Sequence, residues 1–310
     1  MEKLVFDGKD RVKTIDELLD TPIPKKLWHY TSTEGFHGIV TSGTFFATDL
    51  RFLNDRREFV HLKAIAESVI NEVPDHKTGG TKVRDAMKVL CDKAFDRSLG
   101  KIHLEIFVAS FSAAEDQLSQ WRGYSSGTSG VCIGFDLESF RPPKNLGILA
   151  SFAPCVYDTA LQRELVVSTL QPFRNEIEGN LDKIHGSGLD AGAPASQFYQ
   201  AATRLFVALW TIAALSKDPS FREEAEWRLV LPLQPDRQPP PDNPPKFRIR
   251  TTTLIPYIAH PNPPRKPLPI VDVILGPGSH EHSVAAVEAF LKSNGINVTP
   301  RQSTVPYLCV

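Results

Sequence analysis

Phe221-Arg-Glu-Glu-Ala-Glu-Trp-Arg-Leu-Val230 joins an acidic pair to the start of an apolar run, Leu229 to Leu233. In an extended strand, residues i and i+2 point to one face. Glu224 and Glu226 are therefore expected to aim two carboxylates into one space, with Trp227 on the opposite side. Like charges so close repel and raise one pKa, unless a cation or a substrate hydroxyl fills the gap. The plain alternative is a solvated acidic strand edge balanced by Arg222 and Arg228. Either way the segment is a late strand, and a strand needs partners.

The rest of the chain supplies them as short strands mixed with helices. Leu27-Trp-His-Tyr-Thr31 follows Pro22 and Pro24 and predicts an early strand. Ser32 or Thr33 can cap a short helix carrying Phe36, Ile39 and Val40, with Gly43 at its exit and a strand over Phe45 to Thr48. Asp55-Arg-Arg-Glu58 has capping-box spacing before Leu62, Ile65, Ala66, Val69 and Ile70, a 3.6-residue period. Val83, Met87, Leu90 and Ala94 mark another helix. Ile102 to Phe111 and Val131 to Phe135 read as strands. A helix over 160–178 precedes a Gly-rich gap, and Phe198 to Ala213 reads as a long buried helix. Pro232 to Pro245 holds seven prolines, which predicts an irregular surface loop. Arg248 to Ile258 alternates weakly like one strand. Val271 to Leu275 and the helix Val284 to Ser293 follow, and Ser303 to Leu308 is expected to be a final strand. These elements predict an α+β fold: a core sheet of short mixed or antiparallel strands with interspersed helices. The chain is expected to be a single domain over 1–310. Its sheet-forming parts are 23–136 and 221–308, with a helical insert over 158–216 and a Pro-rich loop over 232–247.

Composition narrows the function classes. At 310 residues with net charge −1 and no basic block, composition gives no sign of affinity for nucleic acid, although a local groove stays open. Cys91, Cys132, Cys155 and Cys309 are far apart and form no metal-type pairs. With no apolar leader after Met1, they are expected to be reduced thiols in the cytoplasm. No apolar run approaches the roughly 20 residues that span a bilayer.

Four segments place polar groups on otherwise apolar elements: His29-Tyr30-Thr31, Ser110-Phe111-Ser112, Gln120-Trp-Arg-Gly-Tyr124 and the Glu224/Glu226 pair. Each has a structural reading. A strand histidine is commonly just hydrogen-bonded, Tyr30 can pack as core, a Ser-x-Ser strand end can be turn chemistry, and Trp121 can anchor a helix end. Asn54-Asp55 with Glu58 can be only a helix cap. Lys217 reads as a cation at a helix C-terminus. His280-Glu-His282 lacks a third ligand, so no metal is expected. Gly276-Pro-Gly278 lacks the N–H groups and lysine of a phosphate loop.

The motifs Trp28-His-Tyr-Thr-Ser32, Phe52-Leu-Asn-Asp55 with Glu58, Ser110-Phe-Ser112, Gln120-Trp121, Tyr124, Gly130 to Phe135, Glu224-Ala-Glu-Trp-Arg228, Ile274-Leu-Gly-Pro277 and Val305-Pro-Tyr307 resemble a bacterial family known only as domain of unknown function 2971. More distantly, an early strand histidine, then a Ser-x-Ser strand, then a late Glu-x-Glu strand resembles the ADP-ribosyltransferase superfamily in kind and order. Phe111 and His29 depart from the arginine-specific toxins, which carry Thr and Arg there. This resemblance implies an NAD-using enzyme that transfers ADP-ribose to a protein or nucleic acid, or hydrolyses NAD, as a possible bacterial toxin or defence effector. NAD would be substrate. Glu226 would stabilise the cation-like sugar carbon, and Glu224 would orient or deprotonate the acceptor. His29 would bond the adenosine ribose, Ser110 or Ser112 would stiffen the pocket, and Arg122 would meet the diphosphate. Tyr30 or Tyr124 would stack on nicotinamide. Glu226→Gln is expected to lower NAD turnover by on the order of 100-fold or more and leave folding intact. Two other classes stay open: a nucleotide- or protein-binding module without turnover, and a hydrolase or nuclease using Glu224, Glu226 and Asp55 around a divalent metal.

Overall fold

A computed structural model describes residues 13–53, 56–73, 80–95, 105–124, 130–136, 151–187, 197–233, 242–250 and 252–306. Asn54, Asp55, Tyr307 and Cys309 lie outside them, as do 102–104 and most of the Pro-rich stretch.

The order begins with α1 (Ile15–Leu19), β1 (Leu27–Ser32), α2 (Thr33–Ser42), β2 (Phe45–Asp49), α3 (Arg56–Asn71) and α4 (Gly80–Phe95). It continues through β3 (Glu105–Ser112), α5 (Leu118–Tyr124), β4 (Gly130–Phe135), β5 (Ser151–Pro154), α6 (Thr159–Ser187) and α7 (Gln197–Leu215). The last elements are β6 (Glu226–Leu233), β7 (Lys246–Arg250), β8 (Thr253–His260), β9 (Ile270–Leu275), α8 (Ser283–Ser293) and β10 (Arg301–Gln302). The expected α+β class holds. Ser32 caps α2 by accepting from the Gly35 N–H, and Gly43 ends it at φ 71, the left-handed region that suits glycine.

The strands form a ten-stranded mixed sheet in the order β10-β9-β4-β1-β3-β2-β8-β7, with β6 on β3 and β5 on β6. The β10–β9 pair is parallel and is crossed by α8; the other strand pairs run antiparallel. The junction between β1 and β3 positions the site. β1 pairs with β4 along its whole length, from Leu27↔Phe135 to Ser32↔Gly130. It meets β3 at one register pair, Trp28↔Ser112. β3 instead pairs along its length with β6, from Glu105↔Leu233 to Ser112↔Glu226. On the side where β1 arrives, β2 takes up only Val108 and Phe107. A gap therefore opens between β1 and β2 over the Ser110 end of β3.

Three buried clusters fix this arrangement. Phe107, Ala109, Phe111, Trp227 and Leu229 from one half of the sheet pack with Val131, Ile133, Phe135 and Val273 from the other. The opposite face of β3 and β6, through Ile106, Val108 and Val230, is covered by α3, α4, α6 and α7. Trp28, Tyr30, Trp121, Cys132 and Ile274 form a small third cluster that holds α5.

Several expectations change. Pro232 is not in a loop: it pairs with Ile106 inside β6, near the end of the strand, where a missing N–H is tolerated. Arg248 to Ile258 is not one strand but the two arms of a β7–β8 hairpin, with Arg250↔Thr253 as the last pair. Among the described residues the tail contributes only Arg301 and Gln302 to the sheet, and Ser303 to Pro306 follow outside any strand, while 307 and 308 lie outside the described residues. β5 had no counterpart in the sequence pattern. Cys91, Cys132 and Cys155 are buried free thiols.

Candidate functional site

A cleft of about 620 Å³ fills the gap between β1 and β2. His29, Ser110, Arg122, Tyr124, Glu226, Arg228 and Arg248 are among the residues that line it. Three sequence-distant groups, His29, Ser110 and Glu226, are thus brought into one space. The volume falls inside the roughly 300–1,000 Å³ of small-molecule sites.

The register explains the convergence. Ser112 lies opposite Glu226 and Ser110 opposite Arg228. Directly opposed residues of an antiparallel pair share a face, so the Ser-x-Ser and Glu-x-Arg motifs point the same way. His29 then reaches this face from β1, where its Nδ1 lies 2.9 Å from the Ser110 carbonyl. A carbonyl only accepts, so Nδ1 carries the hydrogen and Nε2 of a neutral ring is an acceptor. Burial holds the His29 pKa below its ordinary value, and the nearby Arg248 charge adds to this against the Ser110 bond.

The acidic pair is not arranged as expected. Glu224 closes a 3-10 turn (Pro219–Glu224), and Ala225 takes φ 43, so the strand begins only at Glu226. What joins the carboxylates is Lys217. Its Nζ lies 2.5 Å from Glu224 Oε2 and 2.5 Å from Glu226 Oε2. Lys217 is not a solvated helix-terminal cation: it lies beyond the end of α7 with its side chain 1% exposed. Arg228 completes the group, donating from Nε to Glu226 Oε1 at 2.8 Å and from Nη2 to Oε2 at 3.2 Å. Its Nη1 donates to the Ala214 carbonyl at 2.8 Å. The Glu226 main chain is also held, with its N–H donating to the Tyr157 hydroxyl and its carbonyl accepting from the Cys155 N–H.

These cations decide the charge of the site. Burial would push the Glu226 carboxyl upward, but Arg228 and then Lys217 outweigh it and hold the pKa at about 2. The Lys217 ammonium, in spite of burial, is held well above the ordinary lysine range chiefly by Glu226. Repulsion between the carboxylates is thus relieved by the cation between them, and Glu226 stays ionised.

The two tyrosines part company. Adjacent strand residues face opposite ways, and the Tyr30 ring packs edge-on against Trp121 in the third cluster. Its hydroxyl donates to the Ala114 carbonyl and accepts from the Gln117 N–H. Tyr30 therefore anchors α5, and Tyr124 is the one of the two whose ring is left to serve the cleft, which Phe46 and Phe52 also line. Shielding and then the charges of Glu226 and Glu224 push the Tyr124 hydroxyl pKa upward. Ser112 turns away to donate to the Glu224 carbonyl at 2.6 Å and to accept from the Ala114 N–H, bracing the 3-10 turn.

Some contributing residues escaped the sequence reading. Asp116, at φ 51, accepts from Trp121 Nε1, Ser303 Oγ and the Thr304 N–H and Oγ1, tying α5 to the chain after β10. Arg248 shares the Lys-Phe-Arg-Ile-Arg alternation of β7, the one signal that could have found it. Gly38 also lines the cleft, and a Cβ there would meet nothing within 4 Å. Packing gives no reason for a glycine in the middle of α2, where it costs roughly 0.5–1 kcal/mol relative to alanine. Gly38→Ala should stabilise the protein by about that amount, read as a higher midpoint in urea unfolding.

Among the described residues no group of three or more His, Cys, Asp or Glu side chains is placed to hold a metal ion. Between Glu224 and Glu226 the ammonium of Lys217 already takes the position a divalent cation would need. No described helix is long and apolar enough to cross a membrane.

A family described as protein of unknown function (DUF2971) matches residues 120–229. That segment holds Tyr124, Lys217, Glu224, Glu226 and Arg228, while His29, Ser110 and Arg248 lie outside it. The chain matches no curated protein and no solved structure.

Proposed function

We propose that this protein is an ADP-ribosyltransferase-like enzyme that uses NAD as substrate. The observation carrying this is that His29, Ser110, Tyr124 and Glu226, from four separate elements, line one cleft at the gap in the sheet. In the reaction the bond from the ribose C1′ to nicotinamide breaks, and nicotinamide leaves with the electron pair. Water or an acceptor nucleophile then bonds to C1′ and gives up its proton. Glu226, ionised down to about pH 2, is suited to face the positive charge that grows on the sugar and unsuited to shuttle protons near neutrality. The neutral His29 Nε2 accepts from a ribose hydroxyl, and Tyr124 gives a ring for the departing base. The bare face at Gly38 leaves room for the ligand, so the alanine that stabilises the fold should weaken NAD binding.

A second reading, a nucleotide-binding module without turnover, is favoured by one observation. Three of about four acceptor positions on the Glu226 carboxylate are occupied by Lys217 and Arg228. One remains on Oε1. Incubating the full-length protein with NAD and measuring free nicotinamide separates the two. Release is expected, with His29→Ala slower by about ten-fold for a lost hydrogen bond. NAD binding without release would select the module, and neither binding nor release would reject both.

A further inference from the structure

Gln120 is a polar side chain buried without a partner. It is 5% exposed on α5, and among the described residues nothing hydrogen-bonds to its side-chain amide. That amide has two N–H donors and a carbonyl that can accept twice. Buried groups of this kind are as a rule satisfied, because they give up their hydrogen bonds to water and need others in exchange. The helix cannot turn the side chain out to solvent, since α5 is pinned on both sides of it. The Gln117 N–H donates to the Tyr30 hydroxyl, and Trp121 Nε1 donates to Asp116 at 2.9 Å.

The amide faces a recess instead. A pocket of about 50 Å³ has Gln120, His29, Ser110, Tyr124, Glu224 and Glu226 among its lining residues. His29, Ser110, Tyr124 and Glu226 also line the main cleft, whereas Gln120 and Glu224 belong to the recess, which is therefore a side chamber of the cleft. At about 10–15 Å³ for each water, it has room for roughly four. A carboxamide is a group of that size. An aromatic ring is larger and has to stay in the cleft.

We propose that Gln120 is a specificity-determining residue that reads a carboxamide carried by the ligand of this cleft. One amide edge offers a donor beside an acceptor, and a second amide edge satisfies both at once through two parallel hydrogen bonds. The pairing is the same whichever way round the Gln120 amide stands, because the carboxamide can turn to match it. A ketone accepts but does not donate, and leaves the Gln120 carbonyl unpaired. The proposal rests on the NAD reading and deepens it. The carboxamide is that of nicotinamide, whose ring lies in the cleft beside Tyr124 while the amide enters the recess. Gln120 selects the base and takes no part in moving protons.

The test compares nicotinamide with its acetylpyridine counterpart, in which a methyl group replaces the amide nitrogen, each titrated into the full-length protein and followed by NMR chemical shifts. NAD and its acetylpyridine analogue are compared in the same way by calorimetry. Wild type should prefer the carboxamide in both pairs by roughly ten-fold, the value of a hydrogen bond whose loss leaves a buried partner unpaired. Gln120→Met keeps the length of the side chain and removes the amide, and should reduce either preference to less than about two-fold. Its urea midpoint should equal or exceed that of wild type, since an apolar group in place of an unpartnered buried amide removes a desolvation penalty. No carboxamide preference in wild type, a preference untouched by Gln120→Met, or a preference lost together with a lower urea midpoint would each overturn the proposal, the last by making Gln120 a structural residue. A Gln120-dependent preference for nicotinamide in a protein that does not bind NAD would sink the NAD reading and leave this subsite standing. Release of nicotinamide from NAD with both preferences indifferent to Gln120→Met would do the reverse.

Discussion

Glu226→Gln should unfold at clearly lower urea concentration than wild type, with a loss of about 3–5 kcal/mol, the range for removing one partner of a buried ion pair. The side chain is 4% exposed and bonded to both Lys217 and Arg228. A neutral amide in its place removes the carboxylate that Lys217 and Arg228 share, and leaves Lys217 paired with Glu224. The buried pairing argues against the sequence expectation that this variant folds undisturbed, and activity has to be read per folded molecule, well below its melting range. Under those conditions nicotinamide release from NAD should fall on the order of 100-fold or more, if the charge stabilises the transition state. Equal turnover per folded molecule would reject Glu226 as the group facing the sugar. A stability loss under about 1 kcal/mol, the value of an exposed pair, would contradict its burial between the cations.

What the sequence made legible follows from where the information is local. The capped helix α2 is written in Ser32 and Gly43, because caps are satisfied within one turn of chain. The Ser-x-Ser motif was visible because it repeats a polar residue at strand spacing on an apolar strand, and the Glu-x-Glu motif because it opens directly onto an apolar run. Their meeting was not, since it depends on the register Ser112↔Glu226, fixed between strands more than a hundred residues apart. The β7–β8 hairpin was missed for a plainer reason: Arg250-Thr-Thr-Thr253 contains none of the Gly, Asn, Asp or Pro residues that signal a turn. Lys217 was misread because a lone lysine after a long apolar helix carries no mark of its partner. Its role appears only once the turn at Ala225 folds Glu224 back and sets both carboxylates on one ammonium. The same fold that places these charges also predicts how the protein should respond to acid.

Wild-type unfolding free energy should fall on acidification in two stages. Burial holds His260 at about 4 instead of 6.5 and also lowers His29. For a depressed group the unfolded chain takes up the proton first, so its stabilisation is present above the unfolded value and is lost on the way down to the folded one. The histidine stage thus begins near pH 6.5 and, for His260, ends near 4. Glu226 has the same sign with a lower window: its contribution is complete above 4.5 and disappears as pH approaches 2. A shift of that size corresponds to roughly 3 kcal/mol, at about 1.4 kcal/mol per pKa unit. Lys217 is raised, so its contribution is intact throughout this range and would be lost only in strong alkali. Urea unfolding measured across the series in wild type and Glu226→Gln isolates the lower stage. The difference between the two proteins should be constant above about pH 4.5 and should shrink steadily below it. A difference independent of pH down to 2 would mean that Arg228 and Lys217 do not hold this carboxylate ionised. The electrostatic role proposed for it at the sugar would lose its physical basis.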